Sequence, residues 1–387
     1  MEIRPLLTHV IGSLDKPSWR VKPFRDIPLS DKDIESAKKW GKMLEVESTD
    51  ELIELLSKRE DFTDYEKDRI IFYSSLFATR LLERAGLDVV YDGEQSRVEM
   101  YEYPIRRTKG FLFKGHVRSF DNKYYRKASC VSEPKLEEFY HTSEYERITS
   151  FAKRPVKIPI TGAYTLVDWS YDEFFIKGIE PGVEGVSERR KGARMEFLSK
   201  VAKNIIYPNI KSLCEMGAEF IQIDEPAATT KRNEIDEFII SMRESIGNLK
   251  GKAFFSVHIC FSDYSLLFPK IRELEGILDE VHFEYANRDS KELGANRKIR
   301  HGYEILEKLR GTNFIIGLGV LDVHSDFIEP PELIRDRILY AIEMIGDPRR
   351  IFVSPDCGLR TRTWEVAYEK LSNMVEGRDL ALKELGL

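Results

Sequence analysis

His258-Ile259-Cys260 places an imidazole and a thiol two residues apart. Side chains at that spacing in an extended strand point to the same face, so both could reach one soft cation. Glu284 closes the next β-like run and Cys357 follows the last one. Two thiolates, an imidazole and a carboxylate form a donor set suited to Zn²⁺. A core histidine beside two inert, buried cysteines would show the same lone His-X-Cys, since free Cys is among the most buried residue types. His282 also competes with Glu284, because both would share one face of their run. Spacing alone leaves both readings open. Other polar residues gather at comparable places: Gly12-Ser13, Asp92-Gly93-Glu94, Gly162 to Trp169, Asp224-Glu225-Pro226, Asp322 with His324, and Asp356-Cys357-Gly358.

These positions are the ends of eight short β-branched runs: Leu6–Ile11, Asp88–Tyr91, Val156–Ile160, Phe220–Ile223, Ala253–Ile259, Glu280–Phe283, Phe314–Leu321 and Ile351–Ser354. Between and after them lie amphipathic stretches expected as helices: Asp31–Lys58, Asp64–Ala85, Arg189–Met216, Glu234–Ile246, Leu266–Leu274, His301–Leu309, Pro331–Ile345 and Thr363–Val375. Thr63 and Glu66 make a capping box at the start of the second. Alternating strands and helices imply a parallel sheet, and eight such units an α/β (β/α)₈ TIM barrel, whose reactive residues sit at the C-terminal ends of the strands. The surplus length falls into insertions after the first and second strands. The second, about residues 100–153, is expected as a β-rich excursion with a hairpin over Phe111–Ser129 turning near Asp121-Asn122. No linker or internal repeat is visible, so residues 1–387 read as a single domain.

Composition narrows the class. Sixty basic and 66 acidic residues in 387 give a net charge of −6, whereas a protein built on phosphate contacts is normally basic, so a nucleic-acid role is excluded. Aromatics at 11% and the absence of low-complexity tracts argue against disorder. There is no signal-peptide-like apolar segment and no apolar window of membrane-spanning length. Four cysteines are too few for a disulfide scaffold, and a cytoplasmic location is expected. The only glutamines are Gln95 and Gln222 among abundant Lys, Arg and Glu, a bias reported for hyperthermophile proteins.

Five segments then carry a family resemblance. Phe220-Ile-Gln-Ile-Asp-Glu-Pro-Ala227, Val257-His-Ile-Cys260, Glu284-Tyr-Ala-Asn-Arg-Asp289 and Gly317-Leu-Gly-Val-Leu-Asp-Val-His-Ser325 are similar to segments of cobalamin-independent methionine synthase. Ser354-Pro-Asp-Cys-Gly-Leu-Arg-Thr-Arg362 is the most specific. Their order and spacing match over nearly the whole chain, from Ile11-Gly-Ser13 onward, and resemble the short, single-barrel members of archaea and some bacteria. The resemblance implies a homocysteine S-methyltransferase with zinc on His258, Cys260, Glu284 and Cys357. It places Ser13 at the substrate carboxylate, Glu94 and Asp224 at its ammonium, His324 in proton transfer, and Trp169 beneath a folate ring. An α-amino acid does need a donor at one end and carboxylates at the other. Helix capping is the other use for Glu94 and Asp224. The acid that the long enzymes use for the pterin falls on Thr230 here, and their Gly-Pro becomes Gly162-Ala163. Methylcobalamin or a methylated corrinoid protein is therefore expected as donor, with a methylated pterin as the other possibility. Residues such as Tyr101, Tyr103, Arg106, Arg107 and Phe111 would offer the donor protein a docking surface. Alkyl transfer to another thiol such as coenzyme M, or a non-catalytic zinc-binding partner protein, are the competing functions. The oligomeric state is not readable.

Overall fold

A computed structural model describes all residues except 1–3, 119–123 and 183. Among the described residues the strands are β1 (Thr108–Arg118), β2 (Tyr124–Leu136), β3 (Lys157–Thr161), β4 (Tyr171–Asp172), β5 (Phe220–Asp224), β6 (Phe254–Ile259), β7 (Glu280–Phe283), β8 (Ile315–Leu321) and β9 (Ile351–Pro355). The last six long ones form one parallel sheet in the order β3-β5-β6-β7-β8-β9. Helices follow the strands, including Val186–Val201, Ile235–Ile246, Pro331–Ile345 and Trp364–Leu385. The architecture is α/β with a parallel sheet covered by helices.

The two earliest runs depart from expectation. Leu6–Ile11 and Asp88–Tyr91 join the sheet by single parallel bridges, Thr8 with Val353 and Val90 with Val156. Side chains reinforce the pairing between them: Asp88 Oδ2 accepts from the Thr8 amide at 2.8 Å, and Thr8 Oγ1 accepts from the Asp88 amide at 3.1 Å. Hydrogen bonds nevertheless continue from β9 through Thr8 and residues 88–90 to β3.

Alternation along the strands divides the side chains into two sets. Ile221, Ile223, Phe255, Val257, Val281, Ile316, Leu318 and Val353 enter the large core beneath the helices. Residues of the opposite parity point inward and form layers. Leu7, Val89, Phe220, Phe254 and Phe352 make a separate apolar cluster at the N-terminal ends. Above them the interior is polar. Lys157 Nζ lies 2.8 Å from His9 Nδ1 and donates to Gln222 Oε1 at 2.5 Å, while His9 Nε2 is 3.1 Å from Glu280 Oε1. Each buried charge thus has a partner, as burial demands. The next inward residues lead to the sheet's C-terminal mouth.

Several expected helices are broken. Asp31–Lys58 is two helices, Asp31–Met43 and Thr49–Leu56, separated where Glu45 takes a φ of 54°. Arg189–Met216 runs as Val186–Val201 and Tyr207–Glu215 joined by a π turn at Ala202–Ile206, which absorbs Pro208 and its missing N–H. Leu266–Leu274 and His301–Leu309 shrink to short turns, the first divided at Phe268-Pro269. The Thr63–Glu66 capping box is formed on Asp64–Arg84.

The excursion contains β1 and β2 as an antiparallel pair, longer than expected, with β4 alongside; the turn near Asp121-Asn122 lies outside the described residues. Two of the aromatics expected at a docking surface are interior, whereas Tyr124 and Phe139 stand exposed. Tyr101 and Tyr103 are buried, with Tyr101 Oη 2.8 Å from Ser170 Oγ and Tyr103 Oη donating to Tyr140 O at 2.8 Å. Arg107 covers the Tyr103 ring and Arg106 faces Phe113. The Tyr101–Ser170 contact ties the insertion to the segment after β3, and the Tyr103–Tyr140 contact closes the insertion on itself.

Candidate metal centre

His258 is the inward residue near the end of β6, and Cys260 is the next inward position. Glu284 and Cys357 stand just beyond β7 and β9. The ligand atoms of all four lie within 4.8 Å of one another, and His258 Nε2 is 3.4 Å from Cys357 Sγ. Tetrahedral zinc with bonds of about 2.0–2.3 Å would set ligand atoms about 3.3–3.8 Å apart, so a small contraction completes the fit. Burial, helped by Lys157 and His9, pushes the His258 pKa down to about 3, which keeps its imidazole in the neutral, ligating form. A hydrogen bond with Cys260 and burial raise the Cys357 thiol, and a bound cation reverses that preference.

One buried carboxylate ties two ligand-bearing loops together. Asp356 accepts from the amides of Tyr285, Ala286 and Asn287 at 2.9, 3.0 and 2.7 Å. It therefore fixes the turn after Glu284 from the residue before Cys357. Burial lifts its pKa to about 8, and Glu284 adds to the rise. Glu284 itself is held by Asn287 Nδ2 at 2.5 Å, and its amide donates to Tyr264 Oη at 3.0 Å. Gly319 on β8 makes this possible, since a Cβ there would lie 3.0 Å from the Asp356 Cα and closer still to its carboxylate.

The other candidate residues fall around this set. Ser13 Oγ lies beside Gly358, 2.5 Å from where a Cβ would stand, and so next to Cys357. Glu94 Oε1 is 3.4 Å from the Cβ position of Gly12 and 3.6 Å from Arg97 Nη1. Asp224 Oδ1 accepts from Gln222 Nε2 at 2.6 Å, and the same nitrogen donates to Ile11 O at 2.8 Å. Burial pushes Asp224 up to about 7; the Gln222 bond opposes this and the neighbouring Glu94 charge reinforces it. A buried carboxyl raised by a neighbouring acid marks a site for a cation. The capping role falls instead to Glu225, which accepts from the Tyr164 and Thr165 amides at 3.0 and 2.7 Å.

His324 is exposed on the loop after β8, with Nε2 3.5 Å from Glu284 Oε2. That carboxylate raises its pKa. Trp169 is half-buried, and its described ring contacts are with Tyr125 at 5.5 Å and Tyr101 at 6.3 Å. Thr230 Oγ1 donates to Asp168 Oδ2 at 3.2 Å, so an acid does stand beside Trp169, paired to Arg194 at 2.9 Å and Lys231 at 2.8 Å. Sequence reasoning missed Asp168, Glu225 and Asn287, whose parts depend on loop contacts that periodicity does not encode.

A family model described as the catalytic domain of cobalamin-independent synthase matches residues 51–379. The methionine synthase of Thermoplasma acidophilum is 36% identical over 396 residues, covering 98% of this chain and 99% of that protein. That of Pyrococcus furiosus is 32% identical, covering 100% and 95%. Among solved structures, a B12-independent methionine synthase from Shewanella in complex with selenomethionine superposes with a TM-score of 0.72 at 21% identity, covering 99% of each chain. A methyltransferase from Methanosarcina mazei shares the fold at a TM-score of 0.52 and 12% identity, covering 98% and 95%.

Proposed function

The chain belongs to the cobalamin-independent synthase catalytic-domain family and is a methyltransferase, and from that premise we propose that it methylates the thiol of homocysteine to give methionine at a zinc ion held by His258, Cys260, Glu284 and Cys357. The convergence of those four ligand atoms within 4.8 Å supports the reading. We read the eight segments as one closed (β/α)₈ barrel over residues 1–387, and the free cysteines fit a cytoplasmic enzyme. Zinc, when bound, supplies the charge that keeps a thiol of pKa about 8.5 as its nucleophilic thiolate at neutral pH.

The chain's own residues bind and orient the amino acid. Ser13 donates to its carboxylate, and Glu94 and Asp224 receive its ammonium. That pairing favours homocysteine over a sulfonate thiol such as coenzyme M, which carries no ammonium. The sulfur forms its new bond to the methyl carbon as the donor–methyl bond breaks, and the donor keeps the bonding electrons. The proton lost by the thiol needs a route outward, and His324, exposed yet in contact with Glu284, is placed to carry it.

A methylated corrinoid, free or on a protein, is the donor this reading favours over a methylated pterin. Asp168 is committed to Arg194 and Lys231, and Tyr125 packs on Trp169, so the groups a pterin would use are engaged. The test is methionine formation from homocysteine with methylcobalamin, methyltetrahydrofolate or methyltetrahydromethanopterin, run beside Cys357→Ala. Methylcobalamin should support turnover, and the variant should lose zinc and at least about 10–100-fold in activity. Full activity in a zinc-free variant would overturn the metal role, and efficient turnover with methyltetrahydrofolate would overturn the donor assignment.

A further inference from the structure

His282 is the inward neighbour of His258. The β6–β7 ladder pairs the two residues in register, and both side chains are buried. Their Nδ1 atoms are 2.7 Å apart, a distance at which one nitrogen must carry a hydrogen and the other a lone pair. The remaining nitrogen of His282, Nε2, lies 2.7 Å from Ser354 Oγ on β9. The remaining nitrogen of His258, Nε2, faces Cys357.

These distances leave one consistent proton assignment if His258 is a ligand. A coordinating nitrogen needs its lone pair free, so His258 carries its hydrogen on Nδ1 and donates it to His282 Nδ1. His282, accepting there, carries its own hydrogen on Nε2 and donates it to Ser354 Oγ. We infer that His282, backed by Ser354, is a positioning residue that fixes the tautomer and ring orientation of His258 for the metal. The inference rests on the zinc reading above. Burial lowers the pKa of both imidazoles, in keeping with two neutral rings. The neighbouring strand is shaped around this arrangement: a Cβ on Gly317 would lie 2.7 Å from both Cβ and Cδ2 of His282. An outer partner that orients a metal-bound histidine typically changes metal affinity by about 10–100-fold when removed.

Three substitutions separate this role from space-filling. In His282→Asn the side-chain oxygen takes roughly the place of Nδ1 and can still accept from His258. In His282→Gln the amide reaches toward Ser354 but leaves no acceptor near His258. His282→Leu keeps bulk and loses both. Zinc affinity of each full-length protein is measured by chelator competition, with thermal unfolding in excess chelator as the measure of fold. We expect Gln and Leu to weaken zinc by about 10–100-fold and Asn to stay within a few-fold of the parent, with no matching order among the metal-free melting temperatures. Ser354→Ala provides a milder change, expected to weaken zinc in the same direction. Parental zinc affinity in His282→Leu, or equal losses in Asn and Gln, would overturn the role assigned to His282. A parent chain that binds no zinc would instead overturn the reading beneath it.

Discussion

Asp224 is the residue whose ionisation should be visible in binding. Its carboxyl is pushed up to about 7, mainly by burial, so the ligand-free site holds a proton below that pH. An ammonium favours the ionised form, so on the proposed reading homocysteine binding would expel the proton. Affinity should therefore rise more steeply with pH below about 7 than above it, where only the proton lost by the thiol still contributes. Calorimetry at about pH 6 and about pH 8 should show this change of slope, and Asp224→Asn should remove the steeper part. The variant should also bind about ten- to hundredfold more weakly, as expected for losing a hydrogen bond to a charged group worth about 1.5–3 kcal/mol, with zinc retained. An unchanged slope in Asp224→Asn would assign the proton elsewhere. The acids and the four ligand candidates stood out because they end β-like runs, and the family resemblance chose among the readings that spacing left open. His282 was not, since alternation alone puts it on the face of Glu284, and only its register with His258 shows it one layer lower.

The loop that carries His324 is held by a helix far along the chain. Lys370, on Trp364–Leu385, donates to Asp322 O at 3.0 Å, to Phe327 O, and to Glu329 Oε2 at 2.8 Å. Glu329 in turn accepts from the Asp322 amide at 2.8 Å. Lys370 and Glu329 are both buried, so Lys370→Met would leave the carboxylate only the Asp322 amide and Arg337 at 3.9 Å, and cost up to about 3–5 kcal/mol. Hydrogen exchange should quicken over residues 322–329 while the β6 amides stay protected. Equal acceleration in both would mean that the lysine supports the whole sheet and not this loop. Among the elements, Asp64–Arg84 and Pro331–Ile345 could be read because their periodicity and entry signals agree. The first two runs also join the sheet where the sequence put them, but only through single bridges, with Thr8 and Asp88 side chains adding to the backbone bonds between them. For the aromatic excursion two uses were open, because ring types common at interfaces are equally suited to packing an insertion, and Tyr101 and Tyr103 serve the second.

Across the whole molecule, Leu7, Val89, Phe220, Phe254 and Phe352 form an apolar cluster at the N-terminal ends of the strands, which in the proposed barrel would close the interior at that end. A vessel with a sealed base has a single doorway, and traffic through it must queue. On the proposed reading homocysteine is bound by groups near the metal, whereas a bulky methyl carrier would have to present itself from outside. The amino acid should therefore enter first and methionine leave last. Initial-rate kinetics should show methionine competing with homocysteine but not with the donor, and the spent donor should leave before methionine. Competition between methionine and the donor for the free enzyme would mean that the two do not share a queue.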